Sequence, residues 1–160
     1  MRAQPTGATK AMAEALFQEG RRLLAEGKTA EACRKFEGSY RIDPTPGTQL
    51  NLASCHEKEG KTATAWGEYS EALILAQKAS RADRAKIAKE RIAALEPRLS
   101  RFMVAVPKSA LVEGLEVTVD GAPMDRGAWG TPLPIDPGEH SAVATAPAHE
   151  RWEQKVTVKE

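Results

Sequence analysis

Gly60-Lys61-Thr62 is the order in which a phosphate-binding loop ends. That loop needs a further glycine five residues earlier, so that backbone amides can close around the phosphates. Cys55 stands there, and no strand pattern precedes it. The triplet therefore reads as a turn between helices with Thr62 as the cap of the next one. The two cysteines, Cys33 and Cys55, have no Cys-x-x-Cys spacing, which argues against zinc ligation and thioredoxin-like exchange. His56, His140 and His149 show no metal-ligand spacing and no nearby partner set, and His56 is expected to be a packed histidine. Glu57/Glu59 and Glu113/Glu116 read as solvated charges. With no strained serine elbow, no Cys/His pairing and no glycine-rich nucleotide loop, neither an enzyme, nor a cofactor, nor a bound metal is expected.

Composition points the same way. The chain has 160 residues, enough for one medium domain or two small ones. At 41% apolar and 28% charged it resembles ordinary globular chains, which excludes global disorder. Twenty-three basic and 22 acidic residues leave a net charge of +1. That balance gives no electrostatic footprint for nucleic acid or an anionic membrane. No apolar run approaches the ~20 residues of a membrane span. Residues 1–7 have no apolar h-region and read as a disordered segment. They are not a signal peptide, though they suit the stretch that follows one.

From residue 8 to 98 the apolar spacing is helical. Ala11, Ala15, Leu16, Leu23 and Leu24 share one face, Gly27 closes the helix, and Ala32, Cys33, Phe36 and Tyr40 lead to the stop at Asp43-Pro44. Thr45-Pro46 gives a cap followed by proline at the first helical position. A fifth helix is expected after Ser80-x-x-Asp83, a capping-box-like start. Ala82, Ala85, Ala88, Ile92, Leu95 and Leu99 form its apolar rhythm, with Arg84, Lys86, Lys89, Glu90 and Arg91 on a solvated face.

The pattern repeats. Gly27 and Gly60 are 33 residues apart, and so are Ala32/Ala65 and Phe36/Tyr69. Small residues at Gly20/Ala53 and Ala32/Ala65, an aromatic at Phe36/Tyr69 and a closing Pro44 resemble the tetratricopeptide (TPR) repeat. The resemblance covers residues 13 to about 78. It implies two helical hairpins with the fifth helix as a solvating cap, and a concave groove lined by the first helix of each pair. Carried over by position, that groove consists of Phe17, Arg21 and Leu24, then Leu50, Asn51, Ser54 and Lys58. Asn51 matches the repeat's usual asparagine, whose amide can hold a peptide backbone through donor and acceptor together. Arg21 suits a carboxylate in a bidentate fork. The competing reading has Leu24 and Leu50 covered by neighbouring helices and Arg21 as plain surface. The same register places Cys33 and Cys55 on packed neighbouring helices. Two readings stay open for them, small buried apolar residues or a disulfide.

At Pro97 the period changes to two. Phe102, Val104 and Val106 alternate, as do Leu115, Val117 and Val119, then Trp152, Val156 and Val158. Turn signals separate them at Asp120-Gly121, Gly130-Thr131-Pro132 and Asp136-Pro137-Gly138. Five or six short strands over residues 99–160 suggest a small antiparallel β-sandwich. Val117-Thr118-Val119-Asp120-Gly121, Trp129-Gly130-Thr131-Pro132, Pro137-Gly138-Glu139-His140 and Val156-Thr157-Val158 resemble the PEGA domain, a β module of bacterial envelope proteins. Where that family carries its naming motif, Val112-Glu113-Gly114-Leu115 keeps only the central Glu-Gly. Pro147-Ala148-His149 replaces the usual glycine-aromatic pair. Trp129 is either a plug on the sandwich, the preferred reading, or an exposed surface anchor.

The expected class is α+β: a two-repeat TPR array with a capping helix, then a PEGA-like β-sandwich. The resemblance implies a non-enzymatic scaffold of the bacterial periplasm or cell envelope, taking a protein or peptide in the helical groove. Neither nucleic-acid binding nor direct membrane insertion is expected. The alternative is a structural spacer whose β module docks to cell wall or a neighbouring envelope protein.

Overall fold

The computed structural model describes residues 6–160. The chain is α+β, with five helices followed by six strands among those residues. It divides into two compact units between Arg98 and Leu99.

The helical unit starts earlier than the sequence suggests. Residues 1–5 of the expected disordered segment lie outside the described residues, but Thr6 and Gly7 do not. Thr6 caps α1 (Gly7–Ala25), its hydroxyl accepting from the Thr9 N–H at 3.4 Å while the Thr9 hydroxyl donates to the Thr6 carbonyl at 2.8 Å. This cap satisfies donors that the helix start leaves unpaired. Helices α2 (Thr29–Ile42), α3 (Pro46–Lys58), α4 (Thr62–Lys78) and α5 (Ala82–Leu95) follow. Each packs against its neighbour in the chain, and α3 also touches α5. Three of the helix ends close alike. Gly27, Gly60 and Ser80 take positive φ (76°, 77° and 52°). The next N–H then donates five residues back, Lys28 to Leu23, Lys61 to His56 and Arg81 to Ala76.

Two helix starts differ from expectation. Thr62 does not cap α4 but is its first residue, buried, with its hydroxyl donating to the Gly60 carbonyl at 3.4 Å. The capping box at Ser80 does not form, because Ser80 is spent on the left-handed turn. Arg81 precedes α5 instead and pairs with Asp83 at 2.9 Å. Thr45 does cap α3, accepting from the Thr48 N–H at 3.2 Å, with Pro46 at the first helical position.

Two apolar clusters hold the helices. Leu23, Ala32, Cys33, Phe36, Leu52 and Cys55 form the first, with Phe17 and Leu24 against it. Ala53, Ala65, Tyr69 and Leu95 form the second, flanked by Leu50, Trp66 and Ile92. Gly20 explains why the first packs closely: a Cβ there would lie 2.8 Å from the Phe36 ring.

In the second unit β1 (Ser100–Phe102) pairs antiparallel with β4 (Leu133–Ile135). β2 (Glu116–Val119), β3 (Ala122–Pro123), β5 (Gly138–Thr145) and β6 (Trp152–Val158) form an antiparallel sheet in the order β3-β2-β5-β6. Asp120 and Gly121 both take positive φ, 51° and 78°, the geometry that a two-residue hairpin between right-twisted strands requires. The alternating Val104 and Val106 lie beyond β1, which ends at Phe102. The Val104 carbonyl is taken by the Gly130 N–H rather than by a ladder. Val104, Leu115, Val117 and Ala142 are the buried apolar side chains here.

Candidate functional site

A cleft of about 370 Å³ opens on the helical unit where α1, α3 and α5 present one face. Phe17 comes from α1, Gly47, Leu50 and Asn51 from α3, Asp83, Arg84 and Ile87 from α5, and Arg81 from the position just before it. Phe17, Leu50 and Ile87 make it apolar, while Asn51 and the charges of α5 make it directional. The Asn51 Nδ2 donates to the Gly47 carbonyl at 2.8 Å, which orients the amide within its own helix. Arg84 lies over the Gly47 backbone, where a Cβ would stand 3.0 Å from the guanidinium carbon. It makes no ion pair among the described residues and also lines a smaller adjoining cavity of about 160 Å³ with Lys10, Glu14 and Asp43.

The groove drawn from the sequence is thus gathered in part. Phe17, Leu50 and Asn51 meet in the cleft. Leu24 packs on the first core cluster, Ser54 is half-buried outside the lining, and Arg21 and Lys58 are exposed outside it. They lie further along α1 and α3, past the point where α5 faces the cleft. The charge of α5 suggests a solvated cap, yet the repeat period marks these residues: Arg84 stands 33 residues after Asn51, and Ile87 33 after Ser54.

Behind the cleft the helices are tied by groups that composition alone treats as surface. Cys33 of α2 and Cys55 of α3 are joined by a disulfide, with Cα atoms 5.6 Å apart. Cys33, His56 and Glu59 approach within 4.8 Å, a ligand set by residue type. The Cys33 sulfur is committed to the bridge, however, and offers no thiolate. Glu57, read as a solvated charge, is half-buried and accepts from the Tyr69 hydroxyl at 3.0 Å and from Arg91 of α5 at 3.2 Å. Burial, and then the Glu57 charge, push the Tyr69 hydroxyl up to about 12. Arg91 therefore ties α5 to α3 while its side chain stays partly open to water.

His56 is buried between carboxylates from two other helices. Its Nδ1 lies 2.9 Å from Glu68 of α4, and its Nε2 lies 3.4 Å from Glu37 of α2. With an acceptor at each nitrogen the imidazolium is favoured. The hydrogen bond to Glu68 raises its pKa above the ordinary 6.5, against the opposing effect of burial. A raised folded-state pKa gives stability that is complete below about pH 6.5 and is lost as pH rises through the folded value. The urea midpoint of wild type minus that of His56→Gln should therefore shrink between about pH 6 and about pH 9. A difference that stays constant over that range would refute the ion pair.

In the β unit His140 is clasped in the same way, with Nδ1 at 2.6 Å from Asp120 and Nε2 at 2.7 Å from the Asp136 carbonyl. Asp120 also accepts the Ser141 N–H at 2.9 Å, so the group ties the β2–β3 turn to β5. Trp129 follows a short 3-10 turn and is half-buried, with the Arg126 guanidinium 5.4 Å over its ring. A second cleft of about 610 Å³ lies under the four-stranded sheet, lined chiefly by apolar groups including Phe102, Val106, Val117, Ala144 and Trp152.

These features define an array of helical hairpins with an open amphipathic cleft, followed by a small antiparallel β unit. No family model matches the chain, and no curated protein is similar enough to match it. Among the described residues no helix is long and apolar enough to cross a membrane.

Proposed function

We propose that the chain is a non-enzymatic scaffold of the TPR type, binding a segment of a partner protein in the cleft between α1, α3 and α5. The cleft itself carries this reading. Phe17, Leu50 and Ile87 offer anchoring surface, and Asn51 and the unpaired Arg84 offer directional polar contacts within one concavity. The partner segment has apolar side chains flanking a carboxylate, which Arg84 can take in a fork. The 33-residue periodicity and the close packing at Gly20 support the repeat assignment, and the turn at Asp120-Gly121 suits a PEGA-like module. A disulfide at Cys33–Cys55 fits an oxidising compartment, and so supports placement in the bacterial periplasm or cell envelope.

Panning a displayed random-peptide library against the whole chain tests this reading. Enriched peptides should carry an acidic residue beside apolar ones. Asn51→Ala with Arg84→Ala should weaken their binding about tenfold or more, while Arg21→Ala, outside the cleft, leaves it unchanged. Equal binding by wild type and the double variant would remove the cleft from the function.

A further inference from the structure

The four-stranded sheet treats its two edges differently. At one edge β3 is two residues long and ends in Pro123, a short strand that cannot template pairing. At the other, β6 runs seven residues from Trp152 to Val158 with no proline, and among the described residues no strand pairs with its outer side. Trp152 through Lys155 are all exposed there, Trp152 at 52%.

We propose that β6 pairs antiparallel with β6 of a second copy of this chain about a dyad through Gln154, joining two four-stranded sheets into one of eight strands. A dyad perpendicular to the sheet keeps the core-facing side of one copy beside the core-facing side of the other. On that side lie Trp152, Gln154 and Val156, opposite Ala144, Ala142 and His140 of β5. Centring on Gln154 sets Trp152 against Val156 of the second copy, and Glu153 against its Lys155. Each pair forms twice, which covers an exposed indole and matches opposite charges directly across the strands.

The registers centred on Glu153, Lys155 and Val156 fail on charge or on space. A dyad at Glu153 sets that carboxylate against itself and Arg151 against Lys155. One at Lys155 sets two ammonium groups together. A dyad at Val156 leaves Trp152 beside Glu160, at a strand end where the Ser100 hydroxyl already bonds the Lys159 carbonyl. Within each copy the Ser141 hydroxyl and Arg151 bond Glu153 at 2.9 Å and 2.7 Å. Its carboxylate is thereby fixed on the outer face before the partner arrives, and those bonds hold its pKa below the usual carboxylate value.

Sedimentation velocity on the full chain across a dilution series tests the proposal. Wild type should show a dimer at high concentration that dissociates on dilution, in keeping with a small interface. Lys155→Glu should raise the dissociation constant about tenfold or more, by setting like charges across the dyad. Adding Glu153→Lys to that variant should restore dimerisation, and Trp152→Ala alone should weaken it. Circular dichroism confirms that each variant is folded. A wild type monomeric throughout the series overturns the proposal. So does a dimer indifferent to Lys155→Glu, or a charge-exchanged variant that stays monomeric.

Discussion

Phe36→Ala should destabilise the helical unit by about 3–5 kcal/mol, the range for truncating a fully buried phenylalanine. The ring is 0% exposed, lies 5.7 Å centroid to centroid from Phe17 in a tilted pair, and rests on the bare backbone of Gly20. Since whole domains are stable by only ~5–15 kcal/mol, the melting temperature should fall by more than about 10 °C. Gly20 makes the prediction specific. In wild type, Gly20→Ala would place a methyl group 2.8 Å from the ring and should destabilise, despite alanine's better helix propensity. In the Phe36→Ala background the same methyl group enters the vacated space and should be neutral or stabilising. Additive effects in that cycle, measured by urea unfolding, would show that the two sites do not touch.

This pair was legible in the sequence because its signal is periodic. A small residue at position 20 and an aromatic at position 36 recur 33 residues later as Ala53 and Tyr69. The same holds for the turns at Gly27 and Gly60, where positive φ selects glycine. Ser80 has the same backbone conformation without the glycine, so in the sequence its side chain has the look of a cap. The strand half was legible through alternation, but β1 ended sooner than its pattern. Alternation reports which side chains face inward, not whether the backbone groups find a ladder partner, and Val104 faces inward while bonding a turn amide.

The cleft was legible only where a helix face follows from spacing. Phe17, Leu50 and Asn51 could be placed by repeat register. Arg84 and Ile87 required extending the period into α5, whose high charge suggested a solvated face. Charged side chains in this chain serve as ties between helices, and sequence spacing carries no trace of such pairs. Glu57 and Arg91 are 34 residues apart, His56 and Glu68 are 12 apart, and each pair joins different helices. Only the packing of α3 against α4 and α5 brings them together.

Removing the bridge by Cys33→Ala with Cys55→Ala should cost about 3 kcal/mol, the chain-entropy value for closing a loop across 22 residues. The bridge spans the junction between the α1–α2 and α3–α4 hairpins, where residues 43–45 are all that connects the helices. Cutting it releases the unfolded chain and leaves the folded contacts of Phe36 and Leu52 in place. The loss should therefore appear as a lower urea midpoint with an unchanged core. Both sulfurs are enclosed, Cys33 at 3% and Cys55 at 0% exposure. A thiol reductant should then act slowly on folded protein and quickly once denaturant opens the unit. Reduced wild type and the two-alanine variant should share one unfolding midpoint, apart from the small volume lost with the sulfurs. Phe17 and Leu50 sit on opposite sides of that junction, so peptide affinity at the cleft provides a second readout. A variant that keeps the wild-type midpoint would mean that packing alone fixes the two hairpins, and that the bridge contributes nothing to holding the cleft.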